Sequence, residues 1–218
     1  LTVVLLVGAG LLWRSFYVKY QTDLVVNTSN LVTARLTLPV GKYDTAEKCL
    51  GFFERLEGRQ AGVPVFTADT VASHAPLASG GTPRELAIEG SSASAGAKLP
   101  TVSRVYTGAQ YFETLGVRLQ RGRDFTEADG RPGGEAAIID ERLAALYFTG
   151  TDPIGRRIRL LSRDSTDEGR PGLTIIGVAP AIPDFGPGRS LPVVYMPARA
   201  EATPGRDLCV IVRANTGL

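Results

Sequence analysis

The sequence predicts an α+β protein: a strand–helix–strand unit that the end of the chain rejoins, with a strand-rich region inserted into it. Three observations carry this reading. Val32, Ala34, Leu36 and Leu38 alternate with Thr33, Arg35 and Thr37, the period-two pattern of a half-buried strand. Ala46, Cys49, Leu50, Phe53 and Leu56 then recur on one helical face. Near the end, Leu208, Val210 and Val212 fill one face of a strand while Cys209 and Ile211 fill the other. A strand apolar on both faces belongs in the interior of a sheet, which places it back beside the first unit.

The first segment is of a different kind. Leu1-Thr-Val-Val-Leu-Leu-Val-Gly-Ala-Gly-Leu-Leu12 is uncharged and is followed at once by Trp13, Arg14 and Ser15. Twelve residues rise about 18 Å as a helix, short of the roughly 30 Å of a bilayer core. A signal peptide would carry its basic residues before the apolar run rather than after it. Trp13 and Tyr17 suit an interfacial belt, Arg14 and Lys19 can snorkel, and Gly8-Ala9-Gly10 offers a surface to a neighbouring helix. Residues 1–20 are therefore expected to be the C-terminal part of a transmembrane helix and its exit. A core helix of a soluble domain is the alternative, and the two basic residues by themselves lean toward a cytoplasmic exit.

The remaining elements follow in order. Pro39 and Gly41 end the first strand, and Asp44-Thr-Ala-Glu47 has the spacing of a capping box for the helix that Gly58 stops. Val63 to Ala72 reads as the second strand. From His74 to Gly81 the chain turns small and polar, and short strands follow at Arg84 to Glu89 and Thr101 to Thr107, around a loop from Gly90 to Ala97. Tyr111, Phe112 and Leu115 fit one short helix stopped by Gly116. Ala136 to Ile139 is a buried strand, Asp140 caps a helix carrying Leu143, Ala144 and Tyr147, and Asp152-Pro-Ile-Gly155 is a turn. Strands at Arg157 to Leu161 and Leu173 to Val178 flank the polar connection Ser162 to Gly172, and strands at Pro192 to Met196 and Asp207 to Arg213 complete the chain. The expected domains are 28–74 with 205–218 as one α/β subdomain and 75–204 as the inserted strand-rich one.

Composition excludes several functions. The 218 residues carry 24 Lys plus Arg against 22 Asp plus Glu, a formal charge of +2, with both signs interspersed. Nothing there attracts nucleic acid. Cys49 and Cys209 lie in no metal-ligand spacing, and the place of Cys49 on the core face of its helix fits a buried free thiol; whether the two pair is left open.

No catalytic, cofactor-binding or metal-binding residue is assigned. His74 is the only histidine, in Ser73-His74-Ala75-Pro76 with no nucleophile elbow beside it, and reads as a solvent-exposed loop residue. Gly80-Gly81 and Gly133-Gly134 lack the Lys-Ser/Thr of a phosphate loop and read as turns. Asp124, Glu127 and Asp129 are the densest acidic group, but their spacing is not that of a calcium loop, and Arg121 and Arg123 stand close enough to neutralise them. Asp164, Asp167 and Glu168 alternate with Arg163 and Arg170 as a solvated connection. The segment is thus not read as an enzyme.

Five motifs occur in one order: Leu6-Val-Gly-Ala-Gly-Leu-Leu-Trp-Arg-Ser-Phe16, Tyr111-Phe-Glu-Thr-Leu-Gly-Val117, Arg121-Gly-Arg-Asp-Phe125, Asp152-Pro-Ile-Gly-Arg-Arg-Ile158 and Thr174-Ile-Ile-Gly-Val178. In this the chain resembles the MacB-like ABC-transporter permeases, and more narrowly the duplicated permeases of acidobacteria. The resemblance implies a periplasmic core domain between two membrane helices of a bacterial inner-membrane permease, with a porter-like α/β subdomain and an inserted strand-rich one. It also implies an ATPase subunit or domain elsewhere, a second permease half, a periplasmic partner and no cofactor. Movement driven by ATP would be relayed through the domain to substrate export. In the family the porter-like half continues beyond a strand like Leu208 to Arg213, so that half is expected to be incomplete here. Phe125 and Ile158 are expected core anchors. An extracytoplasmic sensor of a membrane signalling protein is the alternative, and a membrane-anchored hydrolase relying on His74 a weaker third.

Overall fold

The computed structural model describes residues 2–20, 24–39, 41–45, 47–49, 51–52, 55–56, 66–78, 81–90, 99–161, 171–184, 190–200 and 207–215. The expected loop at 90–97 and the connection at 162–172 lie almost wholly outside them, as do the residues before Phe66 in the second strand.

Helix α1 (Thr2–Tyr20) comes first. It leaves its apolar side chains in the open, with Val4 and Leu12 each 74% exposed and Trp13 69%. Among the described residues no helix is long and apolar enough to cross a membrane.

Strands β1 (Leu31–Thr37), β2 (Phe66–Ala72) and β10 (Asp207–Ala214) form an antiparallel three-stranded sheet with β10 in the middle. The two apolar faces of β10 put it there. Leu208 and Val210 pack with Leu38, Cys49 and Val71 under the helical residues 47–49, 51–52 and 55–56, where Phe52 and Leu56 also touch the cluster. Cys209 and Ile211 face the opposite way into a second cluster. Strand β1 is an edge strand, and Val32 is 54% exposed rather than half-buried. Of β1 and the residue after it, Leu36 and Leu38 lie in the cluster beneath the described helical residues. The helix also starts one residue later than the Asp44 capping box predicts: the Thr45 hydroxyl accepts the Lys48 amide, while Asp44 pairs with the Lys48 ammonium at 2.6 Å.

The other strands close on themselves. β4 (Thr101–Thr107) pairs with β3 (Thr82–Ile88), β3 with β7 (Arg157–Leu161), β7 with β8 (Leu173–Ala179), β8 with β6 (Ala136–Asp140), β6 with β9 (Val193–Pro197), and β9 with β4 again. The result is a six-stranded ring, into which every strand sends residues: Leu86, Val102, Ile139, Ile158, Ile175 and Val194 share one cluster. Leu143 of helix α3 (Glu141–Tyr147) joins that cluster. Asp140 caps α3, accepting the Leu143 amide at 2.9 Å. Tyr147, expected on the core face, is instead 40% exposed. A two-residue strand β5 (Arg121–Gly122), with no signal in the sequence, adds to β8.

Among the described residues one ladder pair, Ala72 with Thr107, joins the ring to the three-stranded sheet. Backbone bonds flank it, from the Ser73 amide to the Tyr106 carbonyl and from the Gly108 amide to the Val71 carbonyl. Between the two bodies lies the second cluster, where Ile138 and Tyr195 of the ring meet Cys209 and Ile211 of β10.

Candidate functional site

The short helix α2 (Tyr111–Thr114) occupies the junction between ring and sheet, and its ends are fastened by residues far away in sequence. At its start Gln110 supplies no side-chain cap. Asp124 does so instead, its Oδ2 accepting the amides of Phe112 at 3.0 Å and Glu113 at 3.3 Å. Burial pushes the Asp124 carboxyl upward, and the amides of Phe125, Glu113 and Phe112 pull against that. At its end Gly116, with φ +66, allows the Gly116 amide to reach the Glu113 carbonyl and the Val117 amide the Phe112 carbonyl. This is the left-handed cap that glycine favours. Phe112 stacks edge-on to Tyr195 of β9, centroids 4.9 Å apart, so α2 is pressed against the ring.

The other side of α2 holds the chain that emerges from α1. The Asn27 amide donates to the Leu115 carbonyl at 3.0 Å. Val26 is buried in the same cluster as Leu115, and Val25 packs against it with φ 61, a costly conformation for a β-branched residue. Arg213 closes the joint. Its Nε donates to the Thr114 carbonyl, one Nη to the Ser29 carbonyl and the other to the Asn27 carbonyl, at 2.9, 2.7 and 2.8 Å. One guanidinium thereby binds β10, α2 and residues 27–29 together. Its flat fork of donors suits three carbonyls converging from two segments. Nothing in the sequence around Arg213 marks it, because its acceptors are backbone carbonyls about 100 and 185 positions away.

The acidic group of residues 124–129 is structural. Arg123 grips Asp129 with two bonds of 2.7 and 2.9 Å, and Asp129 also accepts from the Thr126 amide and hydroxyl. These bonds, Arg123 first, lower the Asp129 carboxyl to about 2. Arg121 does not neutralise this group as expected; it pairs with Asp152 at 2.6 Å. Among the described residues no group of three His, Cys, Asp or Glu could hold a metal ion. Gly133 sits in a turn at φ +85, whereas Gly81, at φ +97, directly precedes β3 and Gly80 lies outside the described residues.

His74 is half-buried rather than solvent-exposed, because its turn folds over β1 and β10. Its Nδ1 lies 2.8 Å from the Ser73 hydroxyl, which in turn accepts the Tyr106 amide. Burial lowers the imidazole's proton affinity, Arg35 lowers it further and Asp207 opposes them. Cys49 and Cys209 are both free and buried. They pack into different clusters, on the two sides of β10.

Residues 27–29, held by α2 and Arg213, thus join the segment that follows α1 to a ring-and-sheet body. The chain belongs to the MacB-like periplasmic core domain family, whose sequence model matches residues 2–217. It is 30% identical over 134 residues to the macrolide export ATP-binding/permease protein MacB of Neisseria meningitidis, covering 59% of this chain and 18% of that protein. With MacB 1/2 of Paracoccus denitrificans it shares 36% identity over 91 residues, 41% of this chain and 12% of the relative. The chain thus spans less than a fifth of the length of these curated relatives. Among solved structures, the periplasmic region of MacB from Actinobacillus actinomycetemcomitans matches with a TM-score of 0.53 at 16% identity, covering 92% of this chain and 81% of that one. The extracellular domain of the ABC-type transporter YknZ from Gram-positive bacteria matches with a TM-score of 0.53 at 17% identity, covering 86% and 85%. These two share the fold. In the family as a whole the ATPase is a separate domain, and the likenesses favour the permease over the sensor reading.

Proposed function

We propose that this domain relays ATP-driven movement of membrane helices to substrate export or to a periplasmic partner, and does no chemistry itself. Residues 28–74 with 205–218 act as the porter-like part and 75–204 as the strand-rich part. Residues 1–20 are the end of a transmembrane helix: the exposed side chains of Val3 to Val7, Leu11, Leu12 and Phe16 are satisfied by lipid or by neighbouring helices. The ATPase lies elsewhere in the system, and a second permease half or subunit pairs with this one as a dimer or pseudo-dimer.

The observation that carries the reading is the Arg213 joint. A pull on α1 reaches residues 27–29, and the guanidinium passes it to β10 and α2. From α2 the path continues through Phe112 to Tyr195 of the ring. The Ala72–Thr107 ladder pair and the buried cluster that Ile138 and Tyr195 share with Cys209 and Ile211 couple the sheet to the ring as well. The test is the full-length permease reconstituted with its ATPase in liposomes. Arg213→Ala should keep ATP turnover and lose vectorial transport. Unchanged transport in that variant would rule out the joint as the relay.

A further inference from the structure

The turn that carries His74 roofs a cleft of about 400 Å³ over the paired strands β1 and β10, lined by Arg35, Thr37, Ser73, His74, Asp207 and Cys209. That volume falls within the range of small-molecule sites. Its charges are arranged unusually. The ladder sets Arg35 opposite Cys209 and Thr37 opposite Asp207, so Arg35 and Asp207 are diagonal neighbours on one face. Diagonal partners stand about 7–8 Å apart. Among the described residues no ion pair joins them, and Arg35 has neither a hydrogen-bond nor an ion-pair partner.

Asp207 is held in place, since Thr37 donates its hydroxyl to Oδ1 at 2.7 Å, which leaves Oδ2 to accept another donor. The Ser73 hydroxyl accepts from the Tyr106 amide and has its own hydrogen to give to Nδ1 of His74. In that tautomer Nε2 carries the imidazole proton and is a donor. The cleft therefore offers donors from Arg35 and His74 to an anionic group and an acceptor from Asp207 to a cationic one. A simple anion would meet Asp207 as a repulsive neighbour, and a simple cation would meet Arg35.

We propose that this cleft binds a small zwitterion of dipeptide size, its carboxylate on Arg35 and its ammonium on Asp207. Ser73 directly follows the Ala72–Thr107 pair, and its hydroxyl holds the Tyr106 amide. A ligand bridging β1, β10 and the His74 turn would thus brace the connection between sheet and ring. This site does not depend on the relay reading, because its binding can be measured without transport.

The test is calorimetric titration of the full 218-residue chain in detergent with dialanine, N-acetyl-dialanine and dialanine amide. Dialanine should bind saturably, and both capped forms at least tenfold more weakly. Arg35→Gln should weaken dialanine tenfold or more while leaving the amide unaffected, and Asp207→Asn should weaken dialanine while sparing the N-acetyl form. Because each variant retains one expected interaction, misfolding and loss of the site are distinguishable. Absence of saturable dialanine binding to the unsubstituted chain would overturn the proposal, as would capped dipeptides that bind as tightly as dialanine.

Discussion

The Nε of Arg213 donates to the carbonyl of Thr114 at 2.9 Å, so the C-terminal strand holds the end of a helix that lies about a hundred residues earlier in the chain. Two further bonds from the same guanidinium hold Asn27 and Ser29. Replacing Arg213 with Ala removes all three. With the group half-buried, we expect a loss of about 2 kcal/mol, or a melting temperature lower by roughly 4–8 °C in circular dichroism. Arg213→Lys should recover only part of this, since an ammonium cannot span three carbonyls in a planar fork. Full recovery with Lys would mean that charge alone matters.

Gly116 and Gly155 make a paired test of the same joint. Both have positive φ, +66 and +81. A Cβ on Gly155 meets open space, whereas one on Gly116 lies 2.8 Å from Asn27 Cβ and 3.3 Å from an Nη of Arg213. Gly155→Ala should therefore cost only the conformational strain, about 1 kcal/mol. Gly116→Ala should cost about 2–3 kcal/mol, because Asn27 must move as well. Equal losses in urea denaturation would contradict the close approach.

The Arg123–Asp129 pair predicts how stability responds to acid. Asp129 is held at about 2, below its unfolded value near 3.8, so its contribution is fully present above that unfolded value. It is lost as pH falls from about 4 toward 2. Arg123 is about half exposed, which screens the pair and limits the contribution to about 1–2 kcal/mol. Asp129→Asn should lower stability at neutral pH and flatten the unfolding curve between pH 4 and 2. A variant with an unchanged acid slope would remove Asp129 from the account.

Much of the fold was legible because it rests on local patterning. Alternation located β1 and the two-faced pattern of β10 located the middle of its sheet, while Asp140 and Gly116 were readable as helix ends. Four of the five motifs also gain a physical explanation. Asp124 of the third caps the helix of the second, and Gly122 pairs with Gly177 of the Thr174–Val178 segment. The Asp152–Ile158 turn is tied to that same segment by the Gly155 amide on the Ile175 carbonyl. Ring closure was not legible, since the parallel pairing of β4 with β9 joins residues about ninety positions apart and has no local signature. The joint was hidden for a similar reason: Arg213 reads as one more charged residue at a strand end. His74 was misplaced because exposure was inferred from loop composition, and its turn folds down onto β1 and β10.

The two cysteines follow from β10. Cys209 and the cluster containing Cys49 lie on opposite sides of that strand, so no intramolecular disulfide can form without unfolding the sheet. Chain isolated under mildly oxidising conditions should yield two titratable thiols once denatured. Recovery of none, with the chain still monomeric, would contradict the register of β10.

The central claim is that movement of α1 is passed through Arg213 to the ring, and pulsed electron–electron distance measurement addresses it most directly. Nitroxides attached at Leu12 and Arg131 in the full-length permease, both exposed positions, report α1 against the ring. With its ATPase present, adding nucleotide should shift the distance distribution in the otherwise unmodified protein, and Arg213→Ala should abolish the shift while ATP is still hydrolysed. A shift of the same size in the Arg213→Ala protein would contradict the account.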